Sequence, residues 1–219
     1  MRLLSTKILD FSFKQRLLGL GFSLIEFPFI QVEELSHITT AISGEALIFT
    51  SQNAVRIAAQ NNALRAEIQK LPCFCVGSKT QSLLEHLGAQ VIGFAPTAEA
   101  LKAQLSSSVK SYTFFCGKRR LNTIELALKR QNIPCQIIEV YQTVLTPYTI
   151  QKPVDGLLFF SPSAVESYFS LPQKTKGPAF CLGPSTLNAY QNFETNGFLA
   201  KEPNASGMLV SIQKYFKDL

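Results

Sequence analysis

Short apolar runs alternate along this chain with longer segments in which hydrophobic residues recur every three or four positions. Runs of the first kind predict strands and segments of the second kind predict helices, so the order reads βαβα and implies parallel sheets. Strands are expected over 2–6, 23–32, 46–50, 72–76, 90–94, 111–116, 135–145, 156–160, 178–182 and 198–200. Helices fit between them. The spacing predicts one over 54–69, where Leu64 and Ile68 lie one turn apart, and one over 79–87, which stops at Gly88, a C-terminal cap signal. Another over 97–105 opens on Pro96-Thr97 with Glu99 in its first turn. Helices over 121–131, 164–169, 186–193 and 206–216 complete the set.

The pattern occurs twice. "LIFTSQNAV" from Leu47 is echoed by "LLFFSPSAV" from Leu157, and "CFCVGSKT" from Cys73 by "AFCLGPST" from Ala179. "PTAEAL" at Pro96 pairs with "PNASGML" at Pro203, and "SLIEFPF" around Glu26 with "QIIEVYQ" around Glu139. Four similar blocks in the same order, at nearly constant offset, mark a tandem duplication. The segments "IEFPFIQVEEL" and "IIEVYQTVLTPY" run long for α/β strands. At equivalent places in the two copies, such strands can leave one sheet and form a two-stranded bridge to another. No Gly/Ser-rich linker is present, so a two-lobed arrangement has to be joined in this way.

Composition narrows the class. Of the 219 residues 46% are hydrophobic, enough for a folded core, and only 16% are charged against about 25% in an average domain, so Ser, Thr, Asn and Gln supply much of the surface. The net charge of +6 suits a nucleic acid, an anionic membrane or a polyacidic small molecule. "KRR" at Lys118–Arg120 is the one tight basic cluster, and the aromatics are mostly Phe inside apolar runs, which disfavours nucleic acid. No apolar run is long enough for a membrane span or a signal peptide. Cys73, Cys75, Cys116, Cys135 and Cys181 are odd in number and lack zinc-like spacing, which points to reduced thiols, no metal and a cytoplasmic protein.

Candidate chemistry lies where strands end and helices begin. Thr50-Ser51-Gln52-Asn53, Gly77-Ser78-Lys79-Thr80, Gly117-Lys118-Arg119-Arg120, Ser161-Pro162-Ser163 and Gly183-Pro184-Ser185-Thr186 each precede a helix. Amides and a partial positive charge face outward there, so the hydroxyls either cap the helix or share in binding an anion. Five such turns, one of them cationic, favour carboxylate or phosphate binding in a shared cleft. No GxxxxGK[ST] or early GxGxxG occurs, which argues against nucleotides. His37 and His86 have no nucleophile motif beside them, and the acidic residues form no pair at these turns. Tyrosines Tyr112 and Tyr141, near strand ends, are left as proton donors; the repeat partner of Tyr141 is Pro28, so the phenol belongs to one copy only.

The motifs "LIFTSQNAVR", "CVGSKT", "CGKRRLNTIELALKRQNIP", "EVYQTV", "FFSPSAVESYF" and "CLGPST", in this order over most of the chain, resemble the uroporphyrinogen-III synthase family. The resemblance implies two flavodoxin-like α/β lobes of parallel sheet joined by a two-stranded ladder. Mapped onto this chain, it puts residues 1–33 with 148–219 in one lobe, 36–145 in the other and connectors at 27–35 and 140–147. It implies a cofactor-independent lyase that closes the linear tetrapyrrole hydroxymethylbilane into uroporphyrinogen III, inverting the last ring with loss of water. Such a protein acts as a monomer on a small-molecule polycarboxylate, with no nucleic-acid or membrane partner. The family's tyrosine falls on Tyr141 as the catalytic donor. Ser51, Asn53, Ser78, Thr80, Gly117, Lys118, Arg119, Ser161, Ser163, Gly183, Ser185 and Thr186 are expected to bind substrate. Two positions depart from the family: Asn53 stands where some relatives have Arg, with Arg56 one turn on, and the first strand ends Ser5-Thr6-Lys7 instead of Thr-Arg. The alternative reading is a non-catalytic two-lobed binding protein for an organic polyanion, indifferent to Tyr141→Phe.

Overall fold

A computed structural model of the chain describes residues 1–106, 108–173 and 177–217. Its elements begin with β1 (Arg2–Ser5), α1 (Phe11–Gly19), β2 (Ser23–Glu26), β3 (Ile30–Glu34), β4 (Ala46–Phe49), α2 (Gln52–Gln60), α3 (Asn62–Lys70), β5 (Cys73–Val76), α4 (Ser78–His86) and β6 (Val91–Ala95). They continue with α5 (Ala98–Leu101), β7 (Tyr112–Gly117), α6 (Thr123–Arg130), β8 (Cys135–Leu145), β9 (Gly156–Phe159), α7 (Pro162–Phe169), β10 (Ala179–Cys181), α8 (Pro184–Gln191), β11 (Gly197–Leu199) and α9 (Ala205–Lys217). The chain divides into two units, Met1–Gln31 with Val144–Leu219, and Val32–Thr143. It passes from one to the other within β3 and within β8, which are neighbours in one sheet.

The first unit's sheet has the order β11-β10-β9-β1-β2 and is parallel throughout. In the second sheet, of order β3-β8-β7-β4-β5-β6, the pairings from β8 to β6 are parallel. Counted along its own segments, the first sheet has the flavodoxin order 2-1-3-4-5, and the second has it once β7 and β8 are counted before β4. The duplication is therefore exchanged: β3 aside, each sheet takes two strands from one copy of the repeat and three from the other.

Both faces of each sheet are covered, which is why the strands read as unbroken apolar runs. In the second unit Leu47 and Phe49 pack with Val55, Leu64, Ile68 and Leu84 on one side, and Ala46 and Ile48 with Leu101, Ile124 and Leu128 on the other. In the first, Leu4, Leu157 and Phe159 face Val165, Tyr168 and Tyr190, and Leu3, Leu158 and Phe180 face Phe13, Leu17, Met208 and Ile212. All five cysteines are free thiols. Burial pushes Cys73, Cys116 and Cys181 up to about 12 and Cys75 and Cys135 up to about 11, so none is poised to react.

Three expected elements differ. The strand over 23–32 is broken at Pro28: Phe27 and Phe29 donate their amides to Ser5 and Thr6 of the β1 segment, but Pro28 has none to give and its carbonyl takes Thr146 Oγ1 at 2.7 Å instead. The helix over 54–69 is two helices, because Asn61 is extended (φ −84°, ψ 120°) and its side chain caps the second by accepting from Ala63 N and Leu64 N. The helix over 97–105 ends early, where Gln104 turns back to bond both Phe94 N and Phe94 O.

Candidate active site

Open α/β sheets bind ligands beyond the carboxyl ends of the strands, at the point where the strand order reverses. In the second unit that point lies between β7 and β4, and in the first between β1 and β9.

In the second unit β4 runs into Ser51, the N-cap of α2, whose hydroxyl accepts from Asn53 N at 3.1 Å and Ala54 N at 3.3 Å. Asn53 therefore sits in the first turn of α2, and Arg56 beyond it is bonded to Gln52 Oε1 at 2.9 Å. The same Ser51 hydroxyl accepts from Tyr141 Oη at 3.2 Å, across the end of β7. Gly117 closes β7, and Lys118 N donates to Tyr141 O at 2.9 Å. A Cβ on Gly117 would lie 2.5 Å and 2.6 Å from Tyr141 Cε2 and Cζ. Only a glycine admits the ring there.

Burial raises the Tyr141 phenol above its ordinary value of 10.0; the bond to Ser51 lowers it in part and Cys116 adds to the rise. The group stays protonated at neutral pH and can donate a proton but cannot act as a base. Tyr112, the other tyrosine singled out in the sequence, begins β7 at the opposite end of the sheet, is fully buried and bonds Ser106 O.

The other turns follow the repeat. Ser161 caps α7 by accepting from Ala164 N at 3.3 Å, as Ser51 caps α2, and Ser163 stands in that helix's first turn. Gly77 and Gly183 precede α4 and α8, and neither turn has a side-chain cap. They differ in backbone: Gly77 is left-handed (φ 85°), whereas Gly183, placed before Pro184, is extended. Thr80 and Thr186 are almost wholly buried, at 4% and 3% exposure, so Ser78 and Ser185 are the hydroxyls these turns present to solvent.

At the end of β1, Thr6 Oγ1 donates to Leu158 O at 2.8 Å and Lys7 Nζ stands over the Phe160 ring, 4.3 Å from its centroid. Glu26 orders the following loop, accepting from Leu9 N at 2.8 Å and pairing with Lys14. Burial alone would raise its carboxyl, but the bonds from Lys14 and Leu9 outweigh that and the net shift is downward from 4.5. A depressed carboxyl stabilises the fold above its unfolded value and loses that contribution as pH falls through the folded one. Denaturant melts of wild type and Glu26→Gln should differ in full above pH about 4.5 and converge in more acidic buffer.

A family model described as Uroporphyrinogen-III synthase HemD matches residues 12–210. The chain belongs to the uroporphyrinogen-III synthase family. Among solved structures it is similar to uroporphyrinogen-III synthetase from Helicobacter pylori, with 18% identity and a TM-score of 0.72 over 98% of this chain and 100% of that one. A mutant uroporphyrinogen III synthase from the extremely thermophilic bacterium Thermus thermophilus shares 16% identity and a TM-score of 0.69 over 100% of both chains. Likeness at these identities concerns the fold. For this member of the uroporphyrinogen-III synthase family, the structure brings Ser51, Gly117 and Tyr141 together and keeps Asn53 and Lys118 beside them. Arg120, which the sequence places in a cationic turn, is held by two carboxylates, Glu125 at 2.5 Å and Glu139 at 2.6 Å. Among the described residues no helix is long and apolar enough to cross a membrane, and no group of three or more His, Cys, Asp or Glu is placed to hold a metal.

Proposed function

We propose that this chain, acting as a lyase without a cofactor, closes hydroxymethylbilane into uroporphyrinogen III with inversion of the last pyrrole ring and release of water. Family membership supports the reaction, and the observation that carries its residue-level reading is the Tyr141 hydroxyl held against Ser51 at the carboxyl end of β7. The substrate's acetate and propionate groups suit a +6 protein with helix N-termini at its strand ends, and hold the flexible chain for ring closure. Ser51, Asn53, Ser78, Gly117, Lys118, Arg119, Ser161, Ser163, Gly183 and Ser185 are the residues assigned to this grip, whereas the expected Thr80 and Thr186, almost wholly buried, support their turns from beneath.

Tyr141 donates to the departing hydroxyl of the terminal hydroxymethyl group, which leaves as water while the adjacent pyrrole nitrogen supplies the electron pair, giving an azafulvene. The substituted carbon of the last ring attacks that methylene, forming a spiro intermediate. Its bond to the neighbouring bridge then breaks and the ring recloses in inverted orientation. The proton released on reclosure balances the one donated. The pyrrole nitrogen supplies most of the push, so a neutral phenol is a sufficient donor.

The test is the product. Freshly generated hydroxymethylbilane is supplied, the products are oxidised and the type I and type III isomers separated. Type III is expected to dominate; type I alone, from folded protein, would reject the reading in favour of anion binding without turnover. Tyr141→Phe should lower kcat by up to about 10²-fold. Because the phenol titrates above its ordinary value of 10.0, the kcat profile should show no basic limb from Tyr141 below pH about 10.

A further inference from the structure

Strand β8 carries a register shift beside Tyr141. Cys116 pairs with Glu139, but the next residue of β7, Gly117, pairs with Tyr141, so Val140 is an extra residue on β8. Its consequence is visible in the packing. Up to the shift the strand alternates, with Cys135 and Ile137 on the α5–α6 side and Ile138 and Val140 on the α2–α4 side. By that alternation Tyr141 belongs on the α5–α6 side, yet it packs with Ile138 and Val140 against the core of the other face. The bulge swings the phenol onto the face where Ser51 stands.

Arg120 brackets this bulge. Its Nη1 donates to Glu139 Oε1 at 2.6 Å on the bulged strand and to Gly117 O at 3.3 Å on the partner strand. Nε donates to Glu125 Oε1 at 2.5 Å, in the first turn of α6. The guanidinium is thus tied on three sides around the single step where the pairing changes, and it lies on the far side of the sheet from Tyr141. Its bonds go to Glu125, Glu139 and Gly117 O, so they reach Tyr141 through the backbone of β7 and β8.

We propose that Arg120 is a positioning residue for the reaction: by bonding Glu139 and Gly117 across the bulge, it fixes the register that stands Tyr141 against Gly117 with its hydroxyl at Ser51. The inference rests on the reading of Tyr141 as the donor to the departing hydroxyl. A lysine has one nitrogen and lacks the planar fork by which Nε holds Glu125 on α6 while Nη1 bonds Glu139 and Gly117 across the bulge, and Glu139→Gln keeps an acceptor at position 139 while weakening the bond.

The experiment is a double-mutant cycle on kcat for type III product, with Arg120→Lys and Glu139→Gln each made in wild type and in Tyr141→Phe. In wild type the two substitutions are expected to lower kcat about 10-fold, with KM little changed; in Tyr141→Phe the same substitutions cost less than about twofold, because the group they position has gone. A parallel readout needs no turnover: in protein labelled at the tyrosine Cζ, the Tyr141 resonance, assigned by its loss in Tyr141→Phe, should shift in both variants. If the losses are equal in the two backgrounds, or the resonance stays in place, Arg120 supports the fold alone and the proposal is overturned. If Tyr141→Phe itself leaves kcat unchanged, the reading of Tyr141 fails first, and the resonance still reports whether Arg120 sets its place. Should Arg120→Lys not fold, Glu139→Gln carries the same cycle.

Discussion

Replacing Gly117 by alanine is expected to lower kcat by about 10²-fold, as far as removing the phenol itself, while the protein stays folded. The added methyl would meet the Tyr141 ring at 2.5 Å, closer than any real contact, so the ring has to move. Gly117 does not have a positive φ, so alanine adds no backbone strain and the effect falls on the tyrosine. The bond from Tyr141 to Ser51 is lost when the ring moves. Isomer analysis together with a thermal melt separates the outcomes. A stable Gly117→Ala protein with wild-type kcat would show that the placement of the ring against β7 is immaterial to the reaction. Combined with Tyr141→Phe, the substitution should cost little more than either change alone, since both act on one group.

Gly44→Ala is expected to cost about 3 kcal/mol of stability, the upper end of overpacking. A Cβ at that position would overlap the backbone of Tyr112 and Thr113 and lie 2.7 Å from Thr113 Oγ1. These atoms belong to β7, a fully buried strand inside this sheet, and cannot withdraw as a side-chain tip can. The same residue ties down the segment before β4: Gly44 N donates to Thr113 Oγ1 at 3.0 Å, and that hydroxyl donates to Gln136 Oε1 at 2.9 Å on β8. Urea unfolding should show a lower midpoint with an unchanged slope. Gly19→Ala, at a position with nothing within 4 Å, serves as the control and should be neutral within about 0.5 kcal/mol.

Much of the fold was legible because both sheets are buried on both faces. "ALIF" and "GLLF" are apolar at every position, and the helices between them repeat at helical spacing. The duplication was legible too, since Ser51 and Ser161 cap equivalent helices and Gly77 and Gly183 open equivalent ones. What escaped was set by partners distant in sequence. Nothing local to "IIEVYQ" announces that Val140 is an extra residue; the register is fixed against β7, more than twenty residues earlier. Arg120 reads as one cation of a basic turn because its second carboxylate, Glu139, comes from β8. The breaks at Pro28 and Asn61 did have local signals, a residue with no amide to give and an Asn able to cap α3, but apolar periodicity on either side concealed them.

The exchange of strands between the two copies of the repeat bears on how the chain is made. Val32–Thr143 is contiguous, so its sheet can close while the polypeptide is still being synthesised. β1 and β2 can pair with each other as soon as both are made, but β1 gains its second neighbour only when β9 appears, more than a hundred residues later. Until then Leu3, Leu4, Phe13 and Leu17, all buried in the finished protein, lack the side chains of β9, β10 and α9 that complete their burial. A ribosome stalled before β9 therefore displays a folded middle preceded by an adhesive β1–β2 segment.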